Sequence, residues 1–266
     1  MFPRLEESSS IAGLAITPDA PWGTDARGMI AWVASRGFRS IQLDAALAGI
    51  RARELDRSGR RDLAALLKRS GLGFSGLDLW IPSDHFANAA QADRAVAAVT
   101  GACELAAELA VLMDGSGRVV AVDLCSAPAP GVIESLSVFA QREGVEIADH
   151  RWPREQAGSQ SGGGGAGVGM CIGVDPAAII ASGADPATEV SRLAAVPAQA
   201  RLSDLSGAGR TMAGKGRLDR PGYEAALFTR GYARPVIVDP RGLAMQEAAK
   251  LQPSSARTSS GISALL

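Results

Sequence analysis

Short runs of β-branched and aliphatic residues recur along the whole chain at intervals of roughly 30 residues, the length of one strand, one helix and two loops. Between the runs, apolar residues follow helical periodicity, as at Leu63, Leu66 and Leu67. The pattern therefore predicts eight βα units of a parallel sheet. The predicted strands are Ile11–Thr17, Arg39–Ala45, Gly73–Trp80, Arg118–Cys125, Val145–His150, Met170–Asp175, Ala200–Leu205 and Pro235–Asp239.

Four glycines follow the predicted helices and come just before strands. Each has a basic residue within the three preceding positions, and Gly tolerates the left-handed conformation that ends many helices. We therefore expect helix ends at Gly37, Gly71, Gly144 and Gly231.

Eight strands with helical connections form either a closed barrel or an open doubly wound sheet. No GxGxxG motif follows the first strand, so the sequence does not support a dinucleotide-binding open sheet and predicts no nucleotide cofactor. The predicted fold is an α/β protein with a single (β/α)8 TIM barrel over residues 1–251. A glycine-rich stretch, 151–169, takes the place of the fifth helix and is either a lid or a surface insertion. We expect residues 252–266 to be a poorly ordered tail.

Composition limits the class of function. The 27 basic and 28 acidic residues give a net charge of −1, which argues against a nucleic-acid partner held by overall positive charge. The sequence has no apolar run of 18 residues, so no membrane partner is expected. Three widely spaced cysteines suggest neither a disulfide framework nor a cysteine zinc site. We expect a cytoplasmic protein with a small-molecule substrate, and the sequence leaves open whether it forms a homo-oligomer.

Aspartates lie at or near the carboxyl ends of seven predicted strands. These ends converge at the catalytic face of a TIM barrel, where clustered carboxylates repel one another unless a cation lies among them. A divalent metal, a group of arginines or raised pKa values would relieve that repulsion. Helix capping or loop hydrogen bonding would explain individual members equally well. The seven residues are Asp44, Asp78, Asp123, Asp149, Asp175, Asp204 and Asp239.

The chain has two histidines, so a zinc site built from three is excluded. His150 ends the fifth strand beside Asp149 and is a candidate general base or ligand, while His85 follows the third strand and is a candidate for substrate binding. Either could instead be a hydrogen-bonded loop residue. Because HExxH, GxSxG and GxxxxGK[ST] are all absent, the sequence predicts no zincin, α/β-hydrolase or P-loop chemistry.

Two basic loops are candidate anion sites. Arg60 lies in a basic stretch, 51–61, before and within the second helix, where cations oppose the helix dipole unless an anion is near. Arg210 and Lys215 lie in the loop after the seventh strand, a place where barrels often bind phosphate. Solvated surface is the alternative for both loops.

Over nearly its whole length the sequence resembles the xylose isomerase-like barrels, the sugar-phosphate isomerase/epimerase group that also includes endonuclease IV. The stretches that carry the resemblance are GFRSIQLDAA, GVEIADH, IGVDPAAIIASGADP, RLSDLSGAGRTMAGKGRLD and LFTRGYARPVIVD. The resemblance implies a barrel that isomerises or epimerises sugars with a divalent metal (Mn²⁺, Mg²⁺, Co²⁺ or Zn²⁺). Such a metal is held by Glu, Asp, His and Glu on strands five to eight.

The chain departs from that ligand set at most positions. The strand-five Glu falls at Ala148 and the strand-seven His at Arg201. The strand-eight Glu is the shorter Asp239, and only Asp175 on strand six is retained. The resemblance thus leaves Asp175 and Asp239 as candidate metal ligands.

The sequence leaves three functions to consider. The first is a divergent isomerase or epimerase that transfers protons next to a carbonyl, with His150, Asp149, Asp204 and Asp239 as catalytic candidates. The second is a catalytically inactive, metal-free barrel that binds an anionic sugar or polyol acid. The third, endonuclease IV-like hydrolysis, needs more His and Glu ligands than the chain offers. Candidate substrate-binding residues are Arg201, Arg210, Lys215, Arg60, His85 and Asp78.

Overall fold

A closed barrel of eight parallel strands is the centre of the molecule. The computed structural model describes residues 14–16, 25–153, 169–243, 250–251 and 253. Around the barrel the strands follow the order β1-β10-β7-β6-β5-β4-β3-β2, as a βα barrel requires. All eight strands predicted from the sequence are present. They are β1 (Leu14–Ile16), β2 (Ser40–Asp44), β3 (Gly73–Asp78), β4 (Val119–Val122), β5 (Glu146–Asp149), β6 (Gly169–Val174), β7 (Gln199–Leu202) and β10 (Val236–Val238).

Seven α-helices, two short 3-10 helices (Ala52–Glu54 and Ser83–Phe86) and one hairpin complete the described part. The antiparallel hairpin of β8 (Asp204–Ser206) and β9 (Gly209–Thr211) follows β7 directly. Two short helices, rather than one long one, connect β6 to β7, and each begins with an Asp cap and a Pro at its first position. The helices are α1 (Ala26–Ser35), α2 (Arg57–Arg69), α3 (Ala89–Leu112), α4 (Val132–Glu143), α5 (Pro176–Ala181), α6 (Pro186–Arg192) and α7 (Arg220–Thr229).

The predicted helix ends are confirmed. Gly37, Gly71, Gly144 and Gly231 have φ values of 85°, 67°, 66° and 81°, in the left-handed region. Each returns the chain from a helix to the amino end of the next strand. The glycine-rich stretch and the tail, by contrast, cannot be compared with their predictions, since 154–168 and 254–266 lie outside the described residues.

Successive side chains of each strand point alternately to the main core, between the barrel and its helices, and to the barrel interior. In β7, Ala200 and Leu202 join the main hydrophobic core with buried residues of the surrounding helices. Gln199 and Arg201 alternate with them and therefore point into the barrel. The interior has its own small apolar cluster, which includes Ala148 and Val119. Strand β7 thus contributes apolar side chains to the main core and polar side chains to the barrel interior.

Helix α3 is, among the described helices, the one whose length and apolar composition would suit a membrane span. Nine of its residues are buried, including Val99 and Leu105, and it contacts α2, α4, β3 and β4. Its apolar character is therefore explained by packing on the barrel.

Candidate functional site

Arg201 lies at the centre of the carboxyl end of the barrel, surrounded by aspartates from four strands or the residues just after them. Its Nη2 is 3.2 Å from Oδ1 of Asp78, and its Nη1 is 3.0 Å from Oδ1 of Asp123. Nη1 is also 3.5 Å from Oδ2 of Asp175, and Nε is 3.9 Å from Oδ2 of Asp239. The Arg201 side chain is 1% exposed. One guanidinium therefore supplies the cation that the clustered carboxylates require.

The β8–β9 hairpin places a second arginine over this group. Arg210, in β9, donates from Nη2 to Oδ2 of Asp239 at 2.7 Å and from Nη1 to Oδ2 of Asp175 at 3.1 Å. Asp175 also accepts from the Ser203 hydroxyl at 2.5 Å. Arg210 therefore links the residues that follow β6 and β10 at the carboxyl end of the barrel, which we call the mouth.

A third arginine comes from the segment after β10. Arg241 contacts Asp239 through two nitrogens, Nε to Oδ1 and Nη2 to Oδ2, both at 2.6 Å. Its guanidinium carbon lies 4.3 Å from the centre of the Trp80 ring, a cation–π contact. Trp80 in turn donates from Nε1 to Asp78 at 3.0 Å. We call these three arginines and four aspartates the Arg201 cluster; it consists of Arg201, Arg210, Arg241, Asp78, Asp123, Asp175 and Asp239.

The arginines determine the charge state of most of the cluster. Burial would raise the pKa of Asp175, but Arg210 and Arg201 outweigh it and hold that pKa well below its usual range. Burial is likewise outweighed by Arg241 at Asp239 and by Arg201 at Asp123, so both pKa values are lowered. Asp78 is the exception, because burial prevails there over Arg241 and Arg201 and raises its pKa. Asp78 is thus the carboxyl group of the cluster that most readily takes up a proton.

His150 lies inside the barrel, beneath the cluster. A Cβ atom placed on Gly173 would come within 2.6 Å of the imidazole ring, so the ring fits only because residue 173 is glycine. Nε2 lies 3.1 Å from Oε1 of Gln199, and Nδ1 has no hydrogen-bond partner among the described residues. Burial first, and then the positive charge of Arg201, lowers the pKa of His150 to about 3. The ring is therefore neutral at pH 7 and is 2% exposed.

Asp149 and Asp204 are held by hydrogen bonds of their own, away from the cluster. Oδ1 of Asp149 accepts from the backbone N–H groups of Leu124 and Arg151, while Oδ2 pairs with Nε of Arg151 at 2.8 Å. Asp204 is fully buried and accepts four backbone N–H bonds at 2.7–3.0 Å, from Leu205, Gly214, Gly216 and Leu218. Asp204 thereby fixes the loop 212–218, which follows the hairpin that carries Arg210.

The remaining predicted residues lie outside the cluster. Arg60 is on the outside of the barrel, where it pairs with Glu108 of α3 at 2.6 Å and donates to the Leu55 carbonyl. Lys215 is exposed, and His85 lies in a 3-10 turn, Ser83–Phe86. Asp44 accepts from the Ala46 N–H at 2.7 Å, so it stabilises a turn. The structure therefore brings together Arg201, Arg210, Asp78, Asp123, Asp175 and Asp239 of the sequence candidates.

Two members of the site were not singled out in the sequence. Trp80 ends the third predicted strand and Arg241 comes two residues after Asp239. An aromatic residue at a strand end and an arginine just past the last strand are both placed at the mouth by barrel geometry. Their positions at or just after strand ends could therefore have identified both residues from the sequence.

The arrangement does not fit a divalent metal at Asp175 and Asp239. Guanidinium groups from Arg210 and Arg241 contact the carboxylate oxygens that a metal would need. Within the described ranges, no group of three His, Cys, Asp or Glu side chains could hold a metal ion. Arg201, at the position of the strand-seven His ligand in the resemblance, lies where it would repel such an ion.

Comparison with known proteins identifies the fold. The sequence matches no family model and no curated protein. Among solved structures it is similar to L-ribulose 3-epimerase (TM-score 0.61, 19% identity, 85% of this chain and 80% of that chain). A second is a xylose isomerase domain protein from Planctomyces limnophilus (TM-score 0.61, 13% identity, 86% and 88%). A third is 3-keto-D-glucoside 4-epimerase from E. coli (TM-score 0.62, 14% identity, 89% and 94%). The chain is therefore a barrel with the xylose isomerase-like TIM-barrel fold.

Proposed function

We propose that this chain is a sugar- or polyol-binding barrel that works without a metal ion. The observation that carries the proposal is the contact of one buried guanidinium, that of Arg201, with four aspartates at 3.0–3.9 Å. A permanent positive charge of the protein itself then does what a bound cation would do for these carboxylates. The sugar epimerases that share the fold support the class of ligand.

The partly exposed members of the cluster and its neighbour Trp80 supply the contacts for such a ligand. Asp123 has 43% of its side chain exposed, Arg210 28% and Arg241 11%. A sugar hydroxyl can donate to a carboxylate and accept from a guanidinium at the same time. Trp80, 43% exposed, adds an apolar ring beside these groups. Alternating hydroxyls and C–H faces of a sugar or polyol match this combination.

The charge balance favours a neutral ligand over the sugar or polyol acid that the sequence suggests for a metal-free, inactive barrel. Four aspartates and three arginines leave the cluster with a formal charge of −1 when all are ionised. All three arginines already pair with carboxylates in the cluster. A carboxylate or phosphate on the ligand would therefore meet carboxylates before it met a free cation.

Isomerisation or epimerisation without metal is a second candidate, and Asp78 favours it. Its raised pKa suits a group that exchanges a proton, and Arg201, 3.2 Å away, would stabilise an enediolate. Against it, Asp78 is 1% exposed and His150 2% exposed. A substrate would have to displace Trp80 or Arg241 to reach Asp78.

Calorimetric titration in EDTA tests the proposal. The panel consists of L-ribulose, D-fructose, D-xylose and xylitol, with xylonate as the acid counterpart. We expect at least one neutral member to bind, and Arg210→Ala to weaken that binding at least tenfold, about 1.4 kcal/mol. Arg217→Ala, at an exposed residue of the loop that follows the hairpin, is the matched control and should leave the affinity unchanged.

Two results would overturn the proposal. One is that no sugar or polyol binds, and the other is that binding appears only when a divalent metal is added. The second candidate is tested by NMR in D₂O, where exchange of the proton next to the substrate carbonyl would reveal turnover. Exchange that Asp78→Asn abolishes would establish an isomerase or epimerase instead of a binding protein.

A further inference from the structure

A cavity of about 480 Å³ lies at the opposite, amino end of the barrel. Its lining comes from the starts of several strands and from the loops before them, so it is separate from the Arg201 cluster. Cavities of roughly 300–1,000 Å³ are the size that binds small molecules. The polar and charged lining includes Ser40, Ser75, Arg118, Glu146, Gln199 and Arg234.

The lining of this cavity contains more positively charged than negatively charged side chains. Arg234 pairs with Glu146 and also donates to the Ala198 carbonyl at 2.8 Å. Arg118 has a longer contact, 3.4 Å from Nη1 to the Glu143 carbonyl, and forms no ion pair with any described carboxylate. Two arginines and one glutamate leave one positive charge over. That charge belongs to Arg118.

Gln199 adds a hydrogen-bond donor that lacks an acceptor among the described residues. Its side-chain Nε2 is buried without a hydrogen-bond partner in that part of the chain, and the residue is 2% exposed. Oε1 is already engaged with Nε2 of His150 at 3.1 Å. Buried polar groups are nearly always paired, and Gln199 is one of the residues that line the cavity, so its unpaired amide calls for an acceptor on that side. Gln199 is two residues before Arg201 in β7, so it lies about 6–7 Å below the cluster.

We propose that this cavity is a second ligand site, which binds a short-chain hydroxy or keto acid. The carboxylate of the ligand accepts from Arg118, whose guanidinium forms no ion pair with the described carboxylates. A hydroxyl or keto oxygen accepts from Nε2 of Gln199, and the serine hydroxyls of Ser40 and Ser75 contribute further donors. The positive excess distinguishes this site from the mouth, where the aspartates outnumber the arginines.

Ligand-observed NMR and thermal melts on the full chain test the proposal. The probes are pyruvate, lactate, 3-hydroxybutyrate and malate, with lactamide as the uncharged counterpart of lactate. We expect at least one acid to bind saturably and to raise Tm by about 3 °C at ten times its Kd. Lactamide should bind at least tenfold more weakly than lactate if lactate is the acid that binds.

Two variants locate the site. Arg118→Ala removes the charge at the rim, and Gln199→Leu removes the donor while nearly keeping the volume. Each should weaken acid binding at least tenfold, whereas Arg192→Ala, at an exposed residue on α6, should leave it unchanged. The proposal is overturned if no acid binds, or if Arg118→Ala keeps full affinity. It is also overturned if Arg241→Ala abolishes acid binding while Arg118→Ala does not, because the acids would then bind at the mouth. Sugar titrations on the same variants report on the mouth separately.

Discussion

The Nη2 atom of Arg201 lies 3.2 Å from Oδ1 of Asp78, and the two side chains are 1% and 2% exposed. A buried ion pair of this kind is retained at the cost of desolvating both charges, so its removal on one side leaves the other uncompensated. In this barrel the arginine contacts four aspartates, of which three are buried and one, Asp123, is 43% exposed. Its loss would therefore affect the whole mouth.

Replacing Arg201 should destabilise the fold strongly. We expect Arg201→Leu to lower the free energy of unfolding by about 3–5 kcal/mol, because four aspartates would lose their central cation. Arg201→Lys should cost less, since it keeps the charge but not the planar fork. Urea denaturation measures both, with Arg192→Leu on the surface as a control expected within about 0.5 kcal/mol of wild type. An Arg201→Leu protein as stable as wild type would mean that the cluster does not depend on this charge.

His150 should make stability depend on pH. Its pKa is about 3 in the folded protein against 6.5 as the ordinary value, so between these values the unfolded chain binds a proton that the folded one does not. Stability therefore falls as the pH is lowered from 6.5 toward 3, by up to about 1.4 kcal/mol per pH unit. The raised pKa of Asp78 acts in the opposite direction, so the effect is measured as a difference between proteins.

Unfolding free energies between pH 6.5 and 4.5 check this. His150→Gln should have a smaller slope than the wild type, and His85→Asn removes the other histidine as a control. Equal slopes for the wild type and His150→Gln would contradict the burial of a neutral imidazole.

Gly173 and Gly101 should respond oppositely to alanine. A methyl group on Gly173 would lie 2.6 Å from the His150 ring, so Gly173→Ala should destabilise by about 1–3 kcal/mol. Gly101 is within α3, where an added Cβ makes an ordinary 3.5 Å contact with Ala52, so Gly101→Ala should stabilise by about 0.5–1 kcal/mol. Chemical denaturation compares the pair. Equal effects at the two positions would show that the ring does not pack on Gly173.

Asp204 should control the loop 212–218, which follows the hairpin that carries Arg210. Asp204→Ala leaves four backbone N–H groups without their acceptor, and we expect a loss of about 3 kcal/mol. The freed loop should be cut faster by trypsin after the exposed Lys215 and Arg217. Asp219→Ala is the control, since Asp219 accepts from Gly222 at the start of α7 and does not bind the loop. Unchanged cleavage in Asp204→Ala would argue against this role.

The barrel could be predicted because its signals are local. Strand runs about 30 residues apart and four glycine helix ends each depend on a few neighbouring residues, and the structure confirms all of them. The convergence of Asp78, Asp123, Asp175 and Asp239 also followed, because parallel strands end on the same face. Arg201 was identified through its position in the resemblance.

The partners of these residues could not be predicted in the same way. Which carboxylates Arg201 contacts depends on the registers of separate strands, and those are properties of the closed barrel. Asp149 and Asp204 share the strand-end position of the cluster, yet backbone N–H groups nearby satisfy them instead. The His150 side chain fits inside the barrel because Gly173 leaves room for its ring. This contact joins two strands, so the pattern of either strand alone does not predict it.

The most direct test of the account is a thermal melt of the purified protein in EDTA and in added Mn²⁺, Mg²⁺, Co²⁺ or Zn²⁺, together with elemental analysis. If the guanidinium of Arg201 takes the place of a cation, the protein will contain no stoichiometric metal and its Tm will be the same in all of these buffers. Near-stoichiometric metal, with a rise in Tm that Asp175→Ala and Asp239→Ala abolish, would contradict the account.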